Sequence, residues 1–285
     1  MPPMSPILLA FDTSTNVASV ALVTPPSAGN AENGGNTANH EARLVAELTW
    51  RVGQRHSVEL LERLEWLMAS AGVTMADLTG IAVALGPGSF NGVRVALATA
   101  KSLAFARNVP LTGTPTLDVI AWGYSAAHGA NAGTICAILE AGRGQVYAAT
   151  YDATIDAARW APLNGYQVTT AADLAGQVSG EVFFCGEMAP ATRASLAEAL
   201  GDRYHAAPPL AERRASWLAE LALARVARAA QERYDDAMSL EPLYLRRPAI
   251  TTSARHKIAA PADADGTRQR EDAPKGEGSS DALRR

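Results

Sequence analysis

Apolar residues along this chain change their spacing in a set order, and that order predicts the elements. ILLAFD (Ile7 to Asp12) and ASVALV (Ala18 to Val23), parted by a turn rich in Thr, Ser and Asn, predict a β-hairpin. TPPSAGNAENGGNTANHEA has the Pro, Gly and Asn content of an exposed loop, and RLVAELTW resumes strand character after it. From His56 the period becomes that of a helix: Leu60, Leu61, Leu64, Leu67, Met68 and Ala71 share one face, and the pattern stops at Gly72. TGIAVAL reads as a buried strand feeding the glycine-rich loop GPGSFNG, which opens a second helix over 92–107. VPLTGT is then a short strand, and PTLDVIAWGYSAA a third helix with Pro115 at its first turn.

The pattern then restarts. TICAILEA and GRGQVYAATYD, joined by a Gly-rich turn, predict another hairpin, followed by helix, strand, helix and helix in DLAGQV, EVFFCGE, APATRASLAEAL and ASWLAELALARVARAA. Both halves open with a hairpin and continue with alternating elements, so a mixed α/β architecture with an internal duplication is expected, although no residue-level repeat is visible. The divisions fall at 6–113, 114–250 and 251–285. The last segment is poor in large apolar residues and reads as a disordered tail, because it has too little to bury to offset the entropy of ordering.

Composition narrows the function classes. At 285 residues, 48% hydrophobic and 19% charged, the chain is long enough for a two-lobed unit with a substantial core. The formal net charge of −4 gives no general attraction to nucleic acid, so an RNA role needs a local patch or a partner. The opening residues show no basic region followed by an apolar core and cleavage site, and no apolar stretch is long enough to span a bilayer, so a cytoplasmic protein with no membrane role is expected. Cys136 and Cys185, far apart and outside any CxxC pairing, read as buried apolar thiols.

Little in the sequence carries chemistry outright. FDTST puts Asp12 at the end of the first strand with Thr13 and Ser14 behind it. These three either organise a phosphate or a metal-bound phosphate, or make local side-chain to backbone bonds that hold the turn. Gly86 and Gly88 of GPGSFNG fit an anion cradle at a helix start as well as a tight strand-to-helix turn. The loop lacks the lysine of a Walker loop. Ser89 lacks a GxSxG setting, and neither cysteine has a readable base. The five histidines, His40, His56, His128, His205 and His256, offer no helical pair for a metal, so no catalytic and no metal-binding residue is assigned.

The segments ILLAFDTSTNVASVAL, RHSVELL, GPGSFNGVRVALATAKSLA, AGRGQVYAATYD and EPLYLRR, in that order, resemble the TsaB family, formerly YeaZ, across most of Ile7 to Arg247. The resemblance implies a two-lobed ASKHA fold, actin/Hsp70-like and RNase H-like, with a mixed β-sheet flanked by helices in each lobe. It also implies a subunit without catalysis of its own. Such a subunit supports threonylcarbamoyl transfer to the adenosine beside the anticodon of tRNAs reading codons that begin with A. The implied partners are TsaD as catalytic subunit, TsaE as ATPase, tRNA through the complex, and a second copy of the chain as an alternative. ATP and Mg are used by that complex, with no cofactor held by this subunit alone.

Two departures stand out. Asn91 replaces the family's usual Thr, and Glu140, Ala141, Gly142, Arg143 and Gln145 replace an Asp-Ala-Arg arrangement before the second hairpin, which suits phosphate or metal less well. The glycine loop is therefore read as a structural turn. The helix after it is apolar around most of its circumference, as a helix covered on two sides must be. Val93, Ala96, Leu97, Ala100 and Ala104, together with Trp66 on the first helix, are assigned to a partner interface formed by helices 56–71 and 92–107. Competing readings are an autonomous ASKHA ATPase or small-metabolite kinase, which needs intact phosphate loops in both lobes, and a metallopeptidase-like relative, which the histidines do not support.

Overall fold

Two five-stranded sheets carry the chain, and each is built in the same order. The first comes from β1 (Ile7–Asp12), β2 (Val17–Thr24), β3 (Arg43–Arg51), α1 (His56–Ser70), β4 (Leu78–Ala84), α2 (Phe90–Arg107), β5 (Leu111–Thr114) and α3 (Thr116–His128). The second comes from β6 (Thr134–Gly142), β7 (Gln145–Asp152), β8 (Gln167–Thr170), α4 (Ala171–Gln177), β9 (Val182–Glu187), α5 (Pro190–Leu200), β10 (Tyr204–Ala206) and α6 (Ala215–Arg228). The computed structural model describes residues 6–26, 42–52, 56–129, 133–208, 213–228 and 234–246. The tail expected over 251–285 and the loop between β2 and β3 at 27–41 lie outside the described residues.

Strand order is β3-β2-β1-β4-β5 in one sheet and β8-β7-β6-β9-β10 in the other, with the first three strands of each repeat antiparallel and the last two parallel to the central one. The expected duplication is thus present as topology. Sequence periodicity misses β8 and β10, which have four and three residues and are too short to show an alternation.

Both faces of each sheet are covered, which explains the nearly unbroken apolar runs of β1 and β4. Ile7, Leu9 and Phe11 point to α1 and α2, where Leu60, Leu64, Leu67, Leu97 and Ala100 meet them. Leu8 and Ala10 point the other way, to α6. On that side Ala10, Ala21, Ala82 and Ala84 face Ala215, Ala219 and Ala222, and such small side chains let the helix lie close to the sheet. The last helices are exchanged: α6 packs on the first sheet, while α3 brings Leu117, Ile120 and Ala121 to Ile135, Ala137 and Tyr151 of the second. The two lobes are therefore stitched by helices that each cross to the other.

After α6 the chain returns over the first lobe. Asp235 bridges Leu111, Leu243 donates its N–H to Leu85 O, and Arg246 reaches Ala141 O (3.1 Å) and Gln145 in the β6–β7 hairpin. Cys136 and Cys185 sit on opposite faces of the second sheet, in separate core clusters, so they do not pair. Burial pushes the Cys136 thiol up to about 12 and raises that of Cys185 as well.

Candidate docking face and interlobe cleft

The β1–β2 turn and the glycine loop are one structural unit. Asp12 Oδ1 accepts from Ser14 N (2.7 Å), which closes the turn and presents Ser14 O to Ser89 N (2.5 Å). Thr13 Oγ1 donates to Gly92 O (2.7 Å). The glycines are required by this approach: a methyl at Gly88 would fall on the Ser14 carbonyl, and one at Gly92 on the Thr13 carbonyl. Ser89 caps α2 by accepting from Gly92 N (3.3 Å), and Gly86, at φ +88°, gives the backbone turn that starts the loop. Asp12, Thr13 and Ser14 are all buried. The loop's structural job is thus to lock the first turn of α2 onto the end of β1.

Sequence reasoning found Asp12 but not its partner. Arg213, 2% exposed at its side chain, places Nε 2.5 Å from Asp12 Oδ2. Its Nη1 lies 3.2 Å from Glu187 Oε1 on β9, and its Nη2 donates to Val17 O (2.7 Å) and Thr15 Oγ1 (3.3 Å). Thr15 Oγ1 also donates to Glu187 (2.6 Å). A buried guanidinium is tolerated because two carboxylates offset its charge and both Nη atoms have oxygen acceptors. Only the sequence distance between 12 and 213 hid this pair, since no local pattern marks it.

Between the lobes lies a cavity of about 400 Å³, lined by Ser14, Asn16, Ser89, Tyr147, Glu140 and Glu187 among others, with no Lys or Arg among the described residues of its wall. Glu140 Oε1 accepts from Ala189 N (2.7 Å) and Thr192 Oγ1 (2.8 Å), so it caps the start of α5. Glu187 is held by Thr15 and Arg213. A polyphosphate with Mg needs cations or bare N–H groups for its oxygens and a free carboxylate for the metal's shell. The cleft's lining gives such a group no cation, and one oxygen each of Glu140 and Glu187 is already engaged. Among the described residues no cluster of three or more His, Cys, Asp or Glu is arranged to hold a metal.

The interface expectation needs a correction. Val93, Ala96, Leu97, Ala100 and Ala104 are at most 5% exposed, and the last four share one core cluster with residues of β1, β4 and α1. A helix apolar all round does not announce which side faces its own core, and here the alanine side does. Ala100→Arg would therefore report on the core. The exposed side of α2 carries Arg94, Ala98, Ser102 and Phe105, the last 89% exposed. Trp66 on α1 is 60% exposed, and Leu61, expected on the core face, is 53% exposed. At one end, Arg94 lies 3.7 Å above the Phe90 ring and donates to Tyr244 Oη (2.8 Å), while Lys101 donates to Met238 O, whose side chain is 86% exposed. Large apolar side chains are thus left bare on both α1 and α2, which pack side by side.

A second titratable cluster was invisible in the sequence. Asp118 on α3 accepts from Tyr151 (2.7 Å) and Tyr166 (2.9 Å), and burial lifts its carboxyl to about 6 against those two donors. Trp160 stacks on Tyr151 and donates Nε1–H to Asp118 O (3.1 Å), tying the loop after β7 to α3.

A family model described as TsaD, tRNA N6-adenosine threonylcarbamoyltransferase, matches residues 51–254. The tRNA threonylcarbamoyladenosine biosynthesis protein TsaB of Bacillus subtilis is 31% identical over 145 residues, covering 50% of this chain and 54% of that protein. TsaB of Escherichia coli is 32% identical over 144 residues, again 50% and 54%. The matched stretch thus spans about half the length of these curated relatives. In structure, YeaZ from Pseudomonas aeruginosa superposes with a TM-score of 0.63 at 25% identity, over 85% of this chain and 100% of that one.

Proposed function

This chain belongs to the TsaD-type threonylcarbamoyltransferase family, in its TsaB/YeaZ branch with the ASKHA fold, and from that premise we propose that it is a non-catalytic subunit of a tRNA threonylcarbamoyladenosine-forming complex. It acts by docking a catalytic TsaD-type partner on the exposed side of α1 and α2. That complex modifies the adenosine beside the anticodon in tRNAs reading codons that begin with A. ATP and Mg serve through a TsaE-type partner, and the cytoplasm is where such a complex meets its tRNA.

The observation that supports this most is that the acids at the cleft are already engaged. Where a nucleotide-using relative of this fold needs free acids, Asp12 and Glu187 are already paired with Arg213, and one oxygen of Glu140 caps α5. Docking has its own support: Trp66, Leu61 and Phe105 offer the kind of bare aromatic and aliphatic anchors that dominate binding energies. Among the described residues no helix is long and apolar enough to cross a membrane.

Calorimetric titration of the isolated chain with ATP and Mg, alongside a phosphate-release assay, tests the cleft reading. No saturable binding and no turnover are expected. Micromolar binding with turnover near one per second, lost in Asp12→Asn, would establish an autonomous ATPase or kinase instead.

A further inference from the structure

We propose that Arg213 is a positioning residue that ties the first turn of α2 to the second lobe. The proposal rests on α2 being the docking helix only for its functional meaning. Its geometry stands without a partner.

Arg213 sits in a cage of four oxygens, three from the first hairpin (Asp12 Oδ2, Thr15 Oγ1 and Val17 O) and one from the second lobe (Glu187 Oε1). Its own backbone position is fixed from the other side. Ala215 N donates to Ser19 Oγ (3.0 Å) and Ser216 N to Glu47 Oε1 (2.8 Å), so the first turn of α6 is pinned to the first sheet by side chains that satisfy its open N–H groups. The guanidinium therefore meets the hairpin from a rigid mount.

From Asp12 the contacts continue without a gap. One carboxylate oxygen takes Arg213, and the other takes Ser14 N. That turn offers Ser14 O to Ser89 N and Thr13 Oγ1 to Gly92 O. Ser89 and Gly92 are the cap and first turn of α2, and the two glycines leave no slack, because the loop lies directly on the carbonyls of Thr13 and Ser14. A shift of the lobes that moves Glu187 is passed to α2 through Arg213, Asp12 and the turn. This is a contiguous physical network.

Arg213 thus joins a carboxylate of the first lobe, Asp12, to one of the second, Glu187, through a cation held by the chain itself.

Amide hydrogen exchange on the full chain, with no partner present, tests this. In Arg213→Ala, the amides of Ser89, Gly92 and Val93 should exchange about tenfold faster, with those of Ile135 to Leu139 in the second sheet unchanged. Methylguanidinium added in the tens of millimolar should restore protection. Glu187→Gln, at a half-buried position, should speed the same amides by a smaller factor. Should Arg213→Ala not fold, Arg213→Lys, which keeps a charge for Asp12 but cannot span to Glu187 and Val17, should show the same local acceleration. Unchanged amides at 89–93 in the variants that fold, or equal acceleration everywhere without rescue, would overturn the proposal. A failure of the docking reading leaves these exchange results as they are, so the two fail separately.

Discussion

Replacing Asp118 by Asn should make the protein more stable at neutral pH and leave it nearly unchanged in mild acid. Asp118 is buried between α3, β7 and the loop after it, and desolvation lifts its carboxyl from 3.8 to about 6 although Tyr151 and Tyr166 both donate to it. Both phenols are pushed above their ordinary range by the same burial, so they remain donors across the whole pH range of the experiment. A carboxyl with a raised folded value favours the folded state while it is protonated and loses that advantage as pH climbs through the window from 3.8 to about 6. That gap of about two pKa units amounts to about 3 kcal/mol. Asn keeps an acceptor for the tyrosines and cannot ionise. The stability difference between variant and wild type should therefore grow from near zero at about pH 4 to as much as about 3 kcal/mol above about pH 6. Urea unfolding followed by Trp fluorescence, repeated across this range, reads the difference directly, since Trp160 reports on the same cluster. A difference that stays flat with pH, or that favours the wild type increasingly as pH rises, would refute the placement of Asp118 as a desolvated carboxyl.

Further outcomes follow from the docking face and the close approaches. Trp66→Ala and Phe105→Glu should each weaken binding to a TsaD-type partner by about 1–3 kcal/mol in calorimetric titration, with melting temperatures unchanged because both side chains are exposed. Gly92→Ala should destabilise by more than about 2 kcal/mol in chemical unfolding, although the same change in an ordinary helix gains about 1 kcal/mol; a gain here would mean that the Thr13 carbonyl does not lie against it. Removing residues 255–285, which lie beyond the family match, should leave the melting temperature and partner binding as they are.

How much of this was legible depended on sequence distance and element length. The first half could be read strand by strand because β1, β2 and β4 are six to eight residues long and bounded by turn residues. β8 and β10 left no pattern, and the completeness of the duplication emerged only when they took their places at the sheet edges. On α1 the period placed Leu64 and Leu67 inside and Trp66 outside, yet it also placed Leu61 inside, where the structure leaves it bare. On α2 the apolar residues ran round the helix and gave no direction, and alanine, at home in a core or at a contact, could not break the tie. Asp12 was visible as an acid ending a strand. Arg213 was not, because its meaning lies wholly in residues of the β1–β2 hairpin and β9 that meet it in space.

The central claim is that this chain contributes docking and no chemistry. Its most direct measurement is the yield of threonylcarbamoyladenosine in tRNA incubated with purified TsaD-type and TsaE-type partners, ATP and the threonylcarbamoyl donor, with wild-type chain, with Phe105→Glu, and with none. The account predicts full modification with the wild type, background yield without the chain, and a yield with Phe105→Glu that falls toward background and recovers as its concentration is raised. Full modification without the chain, or a Phe105→Glu yield equal to wild type at every concentration, would contradict it.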